Sequence, residues 1–230
     1  MRKLYLVPIL HMSADMGTLA SSLDETARTE LGQEVWRKRQ ETVSTYWDCI
    51  ARFFDSIDAK RFKVYQDGMV VDGVDGLRIV AEGISQGSKN FEVIGELLER
   101  GAALVKTEDP GLVKQEYTYV ARIAHARSRK EREVWALRYR LAQGRLLKQR
   151  DHSIAERINE TLYEGETGVL FVGAYHEVLA MLPADIQVIH VKDLARVREY
   201  HKAYLASKGH GQHLQQLADY LASPVDLVQG

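Results

Sequence analysis

The chain has 230 residues, of which 45% are hydrophobic and 27% are charged, a balance typical of one globular domain and not of a disordered or fibrous protein. Its formal net charge of -1 gives no overall attraction to nucleic acid or to an anionic membrane, so neither is a predicted partner. The single cysteine, Cys49, excludes an internal disulfide and a cysteine-based zinc cluster, and this favours a reducing cytoplasm.

The first apolar run, "KLYLVPIL", holds only about seven apolar residues before His11, which is short for a secretory signal. No segment approaches the roughly 20 apolar residues of a transmembrane helix.

Short apolar runs recur along the chain, and each ends at a polar residue that could serve in catalysis. They are "KLYLVPIL" before His11, "RFKVYQ" before Asp67, "GAALVKT" before Glu108 and "GVLFVG" before His176, and "IQVIHV" is a fifth candidate. Their continuous apolarity predicts strands that are covered on both faces.

Helical patterns separate these strands. Apolar residues between Val43 and Ile57 recur every three or four positions, and "FEVIGELLERG" reads as a helix that closes at Gly101. A further helix is predicted to begin near Asp151 and to end at Gly165. The tail from Asp193 reads as two helices broken at "SKGHGQH". Cys49 lies on the apolar face of the first helix, away from basic groups that would stabilise a thiolate, so we expect it to be structural.

Strands alternating with helices predict an α/β fold with a mainly parallel sheet flanked by helices. We expect a single domain over residues 1–230, with residues 111–150 as a candidate helical insertion and residues 193–230 as a helical extension. The insertion contains the arginine-rich "ARSRKEREVWALRYRLAQGRLLKQR", and it reads as a solvated helix with an apolar stripe through Val134, Leu137 and Leu141. A phosphate or nucleic-acid patch is the alternative interpretation.

The carboxyl ends of parallel strands share one edge of the sheet, and ligands gather there. Four strand-end residues should therefore lie near one another: His11, Asp67, Glu108 and His176. A histidine at this edge could act as a general base or as a metal ligand, and two histidines plus a carboxylate could hold a divalent metal with an open position for water. The predicted metal ligands are His11, His176 and Asp67. The alternative is that these are structural polar residues of the loops.

Arg150 precedes Asp151 at the predicted helix start. There Asp151 would complement the helix dipole, and the guanidinium could hold a carboxylate, a phosphate or a developing oxyanion. The alternative interpretation is a capping aspartate beside an incidental arginine.

Two segments carry a resemblance. "RDHSIAERINETL" followed by "GVLFVGAYH" resembles the helix and the G-x-x-H strand end of erythromycin-esterase-like, ChaN-like and TraB/Tiki/GumN-like proteins, and "LVPILH" resembles their first strand end. The resemblance implies an α/β fold whose pocket collects His11, His176, Arg150 and an acid near Asp67. The chain departs from that pattern in having Pro8 in place of a glycine and Gln66 in place of the strand-end glutamate.

These observations predict a hydrolase that activates water at a strand-end His/Arg/acid pocket formed by His11, His176, Arg150, Asp67 and Glu108, with room for a divalent metal. The expected substrate is a small molecule or a peptide, and the sequence leaves room for a homo-oligomer. The alternative is a protein of the same fold that binds a small ligand or haem without chemistry.

Overall fold

The computed structural model describes residues 1–12, 25, 28, 29, 32–206 and 211–227. Within these residues, five strands form one sheet in the order β3-β2-β4-β1-β5, and every neighbouring pair is parallel. The strands are β1 (Arg2–Ile9), β2 (Lys63–Gln66), β3 (Ala103–Val105), β4 (Thr167–Gly173) and β5 (Ile186–His190). The predicted α/β fold with a parallel sheet is confirmed.

Seven α-helices are described around this sheet. They are α1 (Gln33–Asp55), α2 (Gly73–Ser85), α3 (Lys89–Glu99), α4 (Pro110–Ala124), α5 (Arg129–Thr161), α6 (Leu194–Ala206) and α7 (Gln212–Ala222), and a 3-10 turn spans Val178–Met181. No helix among the described residues combines the length and the apolarity needed to cross a bilayer.

The helices cover both faces of the sheet. Neighbouring strand residues point to opposite faces, so each strand contributes side chains to two cores. Val64 and Phe171 pack into a core formed with α1, α2, α3, α6 and α7. Tyr65 and Leu170 pack into a second core formed with the last turns of α5 and with the 3-10 turn. The continuous apolar runs in the sequence follow from this double coverage.

Helix α5 differs from its prediction. A single helix of 33 residues begins after Ser128, whose side chain accepts a hydrogen bond from the Glu131 N–H, and it runs through Asp151 to Thr161. Asp151 is therefore an interior helical residue, and the predicted helix start at this position is wrong. Aspartate is a weak helix former, but a buried tertiary contact outweighs that preference here. Gly165 lies in the turn beyond the helix with φ 81°.

Helix α2 was not predicted, because its three glycines obscure the helical pattern. Two of them are needed for close packing: a Cβ on Gly76 would lie 2.8 Å from a methyl group of Leu104, and one on Gly83 would lie 2.2 Å from the Phe91 ring. Glycine thus lets α2 approach β3 and α3 at van der Waals distance.

Helices α4 and α5 form an antiparallel hairpin over the region predicted as an insertion. No side chain of α4 is fully buried. Tyr119 of α4 holds the pair together by ring contacts with Trp135 and Tyr139, at centroid distances of 6.4 and 5.7 Å. Only the carboxyl-terminal part of α5, from Leu146 onward, enters the core.

The tail forms the two predicted helices, α6 and α7, although residues 207–210 of the expected break lie outside the described residues. Both helices pack against α1 through the first core. Lys192, after β5, fixes the end of α7: its ammonium group donates to the carbonyl oxygens of Tyr220 and Ser223 at 3.0 and 2.7 Å. This buried lysine acts as a helix C-cap.

Cys49 is only 2% exposed, and its thiol donates to the Ala222 carbonyl oxygen at 3.3 Å. One premise of its prediction is wrong, because Arg52 Nη2 donates to the sulfur at 3.1 Å. The two residues are three positions apart on one helix face, so this neighbour could have been read from the sequence.

Candidate active site

The carboxyl ends of β2, β3 and β4 enclose a polar cluster. The chain leaves β2 toward the layer of α2, whereas it leaves β4 toward the 3-10 turn on the other face. Loops that depart to opposite faces open a crevice between neighbouring strand ends, which is where parallel sheets bind ligands. Asp67, Glu108 and His176 lie at these three strand ends.

Arg150 lies at the centre of this cluster, with 8% of its side chain exposed. Its Nε and Nη2 atoms donate to the two carboxylate oxygens of Glu108, each at 2.5 Å. Nη2 also donates to Asp67, and Nη1 donates to Glu116 of α4. Each guanidinium nitrogen is therefore bonded to a carboxylate, an arrangement that the planar fork of arginine permits and a lysine does not.

Helix α5 brings Arg150 here because its inner face is turned toward the sheet in this region. Arg150, Asp151 and the buried apolar residues of that face recur at spacings of three and four. The helix runs antiparallel to the strand that follows it, so its middle part reaches the carboxyl edge. Arg150 therefore reaches this edge from the interior of the helix.

His176 is held between two carboxylates. Its Nδ1 lies 2.5 Å from Asp151 Oδ1, and its Nε2 lies 3.4 Å from Asp67 Oδ2. Backbone contacts also hold the residue. The N–H of His176 donates to the Gly173 carbonyl oxygen at 3.1 Å, and Arg198 Nη2 donates to the carbonyl oxygen of His176 at 3.1 Å. The 2.5 Å contact of Nδ1 with Asp151 fixes the ring orientation. The 3.4 Å contact of Nε2 with Asp67 is weaker, so Nε2 is the nitrogen that is held less tightly.

Gly173 allows Asp67 and His176 to meet. Its N–H donates to Asp67 Oδ2 at 3.1 Å. A Cβ at this position would lie 3.2 Å from that oxygen and 3.3 Å from His176 Cδ2, which is tighter than ordinary van der Waals contact. The glycine that ends β4 thus leaves room for the two side chains, which would have to shift by a few tenths of an ångström to admit a Cβ.

The two carboxylates change the protonation of His176. Burial alone would lower the pKa of this imidazole, but the hydrogen bond to Asp151 and the contact with Asp67 outweigh burial and raise it to about 9. At neutral pH the side chain is therefore an imidazolium ion that can give up a proton.

The carboxyl groups of Asp67 and Glu108 have pKa values that move apart. Burial would raise the pKa of Asp67, but His176 and Arg150 lower it well below its usual range. Burial likewise raises the pKa of Glu108, and so does the nearby charge of Asp67. The hydrogen bond from Arg150 lowers this pKa but does not outweigh them, so the pKa of Glu108 is raised. The pKa of Asp67 is thus lowered while that of Glu108 is raised, and a divergence of this kind is characteristic of acid–base sites.

Of the five predicted site residues, the structure brings four together: Asp67, Glu108, Arg150 and His176. The fifth, His11, follows β1 as an exposed residue, and its carbonyl oxygen accepts a hydrogen bond from Arg39 Nη2 at 3.2 Å.

Sequence reasoning missed two members of the cluster. Asp151 was considered only as a helix cap, although its position beside Arg150 places it on the same buried face. Glu116 lies on α4 and gave no local signal, because its contact with Arg150 depends on how the helical hairpin folds back. Its other oxygen accepts a hydrogen bond from Tyr139 at 2.6 Å, which links the cluster to the hairpin.

A metal site at His11, His176 and Asp67 stays a prediction. Among residues 1–12, 32–206 and 211–227, no three His, Cys, Asp or Glu side chains are grouped so as to hold a metal ion. Both ring nitrogens of His176 face carboxylates, so a metal on this ring would have to displace one of these contacts. These residues as arranged do not suit a metal, and the proposed mechanism has no step through one.

Comparison with known protein families, with curated proteins and with solved structures finds no significant match to this chain. The resemblance to the erythromycin-esterase-like and TraB-like proteins therefore stays a prediction.

Proposed function

We propose that the chain is a hydrolase in which His176 donates a proton to the leaving group while Asp67 accepts one from the attacking water. The observation that supports this most directly is the 3.4 Å approach of His176 Nε2 to Asp67 Oδ2 at the carboxyl ends of the parallel strands β2 and β4. It pairs an acid that is protonated at neutral pH with a carboxylate that is ionised.

His176 is suited to the role of the acid. Asp151 binds Nδ1 at 2.5 Å and fixes the ring, so the proton on Nε2 is the one available to a substrate. This assignment replaces the base role expected from the sequence, since an imidazole with a pKa of about 9 is already protonated at pH 7.

Asp67 becomes a stronger base as the reaction proceeds. Its pKa is low because His176 is positively charged, and that charge disappears when His176 gives its proton to the leaving group. Water then forms the new bond to the substrate and loses a proton to Asp67, while the bond to the leaving group breaks. Transfer of that proton from Asp67 to His176, across the 3.4 Å contact, restores both groups.

Arg150 acts in this scheme by positioning the carboxylates. All three of its nitrogens already donate to Glu108, Glu116 or Asp67, so the guanidinium holds Asp67 in place and does not bind a substrate anion. The cluster contains four acidic side chains and two basic ones, and this excess of negative charge would repel an anionic substrate. We therefore expect a neutral or cationic ester or amide as substrate.

Hydrolysis of phenyl acetate, a neutral ester whose phenoxide leaving group takes up a proton, tests the proposal. We expect the wild-type protein to hydrolyse it faster than buffer does, and His176→Gln and Asp67→Asn to lower kcat/KM by about 100-fold or more each, in line with the contribution of a general acid or base. The wild-type kcat/KM should fall above about pH 9 as His176 loses its proton.

The matched control is His152→Gln. This exposed histidine of α5 neighbours Asp151 in the sequence but pairs with Glu156 on the surface, so its replacement should leave the rate unchanged. Equal rates for the wild type and His176→Gln would contradict the proposal. Tight binding of a small ligand or haem by a wild type that hydrolyses neither this ester nor a neutral anilide would favour the non-catalytic alternative.

A further inference from the structure

The hairpin that carries Glu116 concentrates positive charge. Residues 110–149 contain ten lysines and arginines against three acidic residues, a surplus of seven positive charges in a chain whose total is -1. The rest of the chain consequently carries a surplus of eight negative charges. A division of charge this large between two parts of one chain favours contact between opposite parts of two copies.

The outer face of α5 carries an exposed apolar row, which we name the α5 stripe. Val134, Leu137 and Leu141 are 49%, 54% and 78% exposed, and their spacings of three and four place them on one side of the helix. The aromatic residues that pack on α4 lie on the opposite side. Four exposed cations border the stripe: Lys130, Arg138, Arg145 and Lys148, of which Arg138 also lies over the Trp135 ring at 4.8 Å.

The acidic residues nearest to this row are already engaged. The Glu131 carboxylate accepts a hydrogen bond from the Arg127 N–H at 2.9 Å, and Glu133 pairs with Arg129 at 3.0 Å. The α5 stripe therefore offers an apolar centre with cationic borders.

Helix α2 carries a second exposed row with the opposite charge, which we name the α2 stripe. Val74, Leu77 and Ile84 are 85%, 50% and 39% exposed, and Ala81 between them is exposed as well. The spacing from Val74 to Leu77 to Ala81 equals that of the α5 stripe, three residues and then four.

The border of the α2 stripe is acidic. Residues 72–85 contain three acidic residues, Asp72, Asp75 and Glu82, against one arginine. That arginine, Arg78, lies 3.0 Å from Asp75 and 4.0 Å from Glu82, so it is shared between two of the acids.

We infer that two copies of this chain associate by packing the α5 stripe of one copy against the α2 stripe of the other. The equal spacing lets the two rows interdigitate, and the cations of one border meet the acids of the other. Because each copy carries both stripes, the contact can form twice in a symmetric dimer. A nucleic acid would suit the cations of α5 but would leave its exposed leucines and the whole α2 stripe without a role.

Sedimentation velocity on the full chain, with charges exchanged between the stripes, tests this pairing. One variant carries Arg138→Glu and Arg145→Glu, and the other carries Asp75→Lys and Glu82→Lys. In either variant alone, like charges would meet, and we expect the dimer dissociation constant to rise by about tenfold or more. In an equimolar mixture both contacts become complementary again, so the two variants should form a heterodimer.

Arg140→Glu is the control, because it makes the same charge change on an exposed residue of α5 outside the stripe. All the substituted residues are exposed, and unchanged thermal midpoints will show that the variants fold. A wild type that is monomeric at high micromolar concentration, or a mixture that stays monomeric, would overturn the inference. A monomer that binds a single-stranded oligonucleotide through Arg138 and Arg145 would also overturn it, in favour of a nucleic-acid surface.

Discussion

Replacement of Arg150 by methionine is expected to lower the free energy of unfolding by about 3 to 5 kcal/mol, the range for breaking a buried ion pair by removing one partner. The change leaves Glu108, Asp67 and Glu116 without their common cation, and the first of these has a fully buried side chain. A loss of this size is a large fraction of the stability of an ordinary domain.

Urea unfolding of the wild type and of Arg150→Met at pH 7 measures this loss. The control is Arg140→Met, an exposed arginine of the same helix, which should change the stability by no more than about 0.5 kcal/mol. The stability of Arg150→Lys should lie between those of the wild type and Arg150→Met, because one ammonium group cannot reproduce the two hydrogen bonds to Glu108. Equal stability of the wild type and Arg150→Met would show that the guanidinium does not organise the cluster.

The second large effect is the dependence of stability on the proton of His176. Folding raises the pKa of this imidazole from 6.5 to about 9, so its ionised form stabilises the folded state. For a group whose pKa is raised on folding, the contribution is fully present below the unfolded value and is lost as the pH rises through the folded value. We therefore expect about 3 kcal/mol of stability to disappear between pH 6.5 and pH 9.

The comparison with His176→Gln isolates this contribution. The buried Lys192, whose pKa is lowered by burial, also affects the pH dependence, but it is present in both proteins and cancels in their difference. The free energy of unfolding of the wild type should exceed that of the variant most at pH 6. Above pH 9 this difference should be smaller by about 3 kcal/mol. A difference that does not vary with pH would mean that His176 titrates alike in the folded and unfolded chains.

The strand ends of this site could be predicted from the sequence because they depend on local signals. Continuous apolar runs marked β2, β3 and β4, and the polar residue at the end of each run gave Asp67, Glu108 and His176. Their proximity follows from the parallel sheet alone, since parallel strands present their carboxyl ends at one edge.

Helix α5 could not be predicted in the same way. "QRDHS" resembles a helix start, and only the buried contact between Asp151 and His176 explains an aspartate in the helix interior. Glu116 reaches Arg150 through the packing of two helices, a contact 34 residues apart in sequence, and no local pattern encodes that distance. The network around Arg150 is thus a tertiary property, even though Arg150 itself was recognisable.

An NMR titration of the His176 imidazole tests the account most directly, because both the proposed chemistry and the stability of the cluster depend on a protonated ring between two carboxylates. The signal can be assigned in protein with labelled histidine by its absence from His176→Gln. We expect a midpoint of about 9, and a midpoint at or below 6.5 would show that the two carboxylates do not hold the ring protonated.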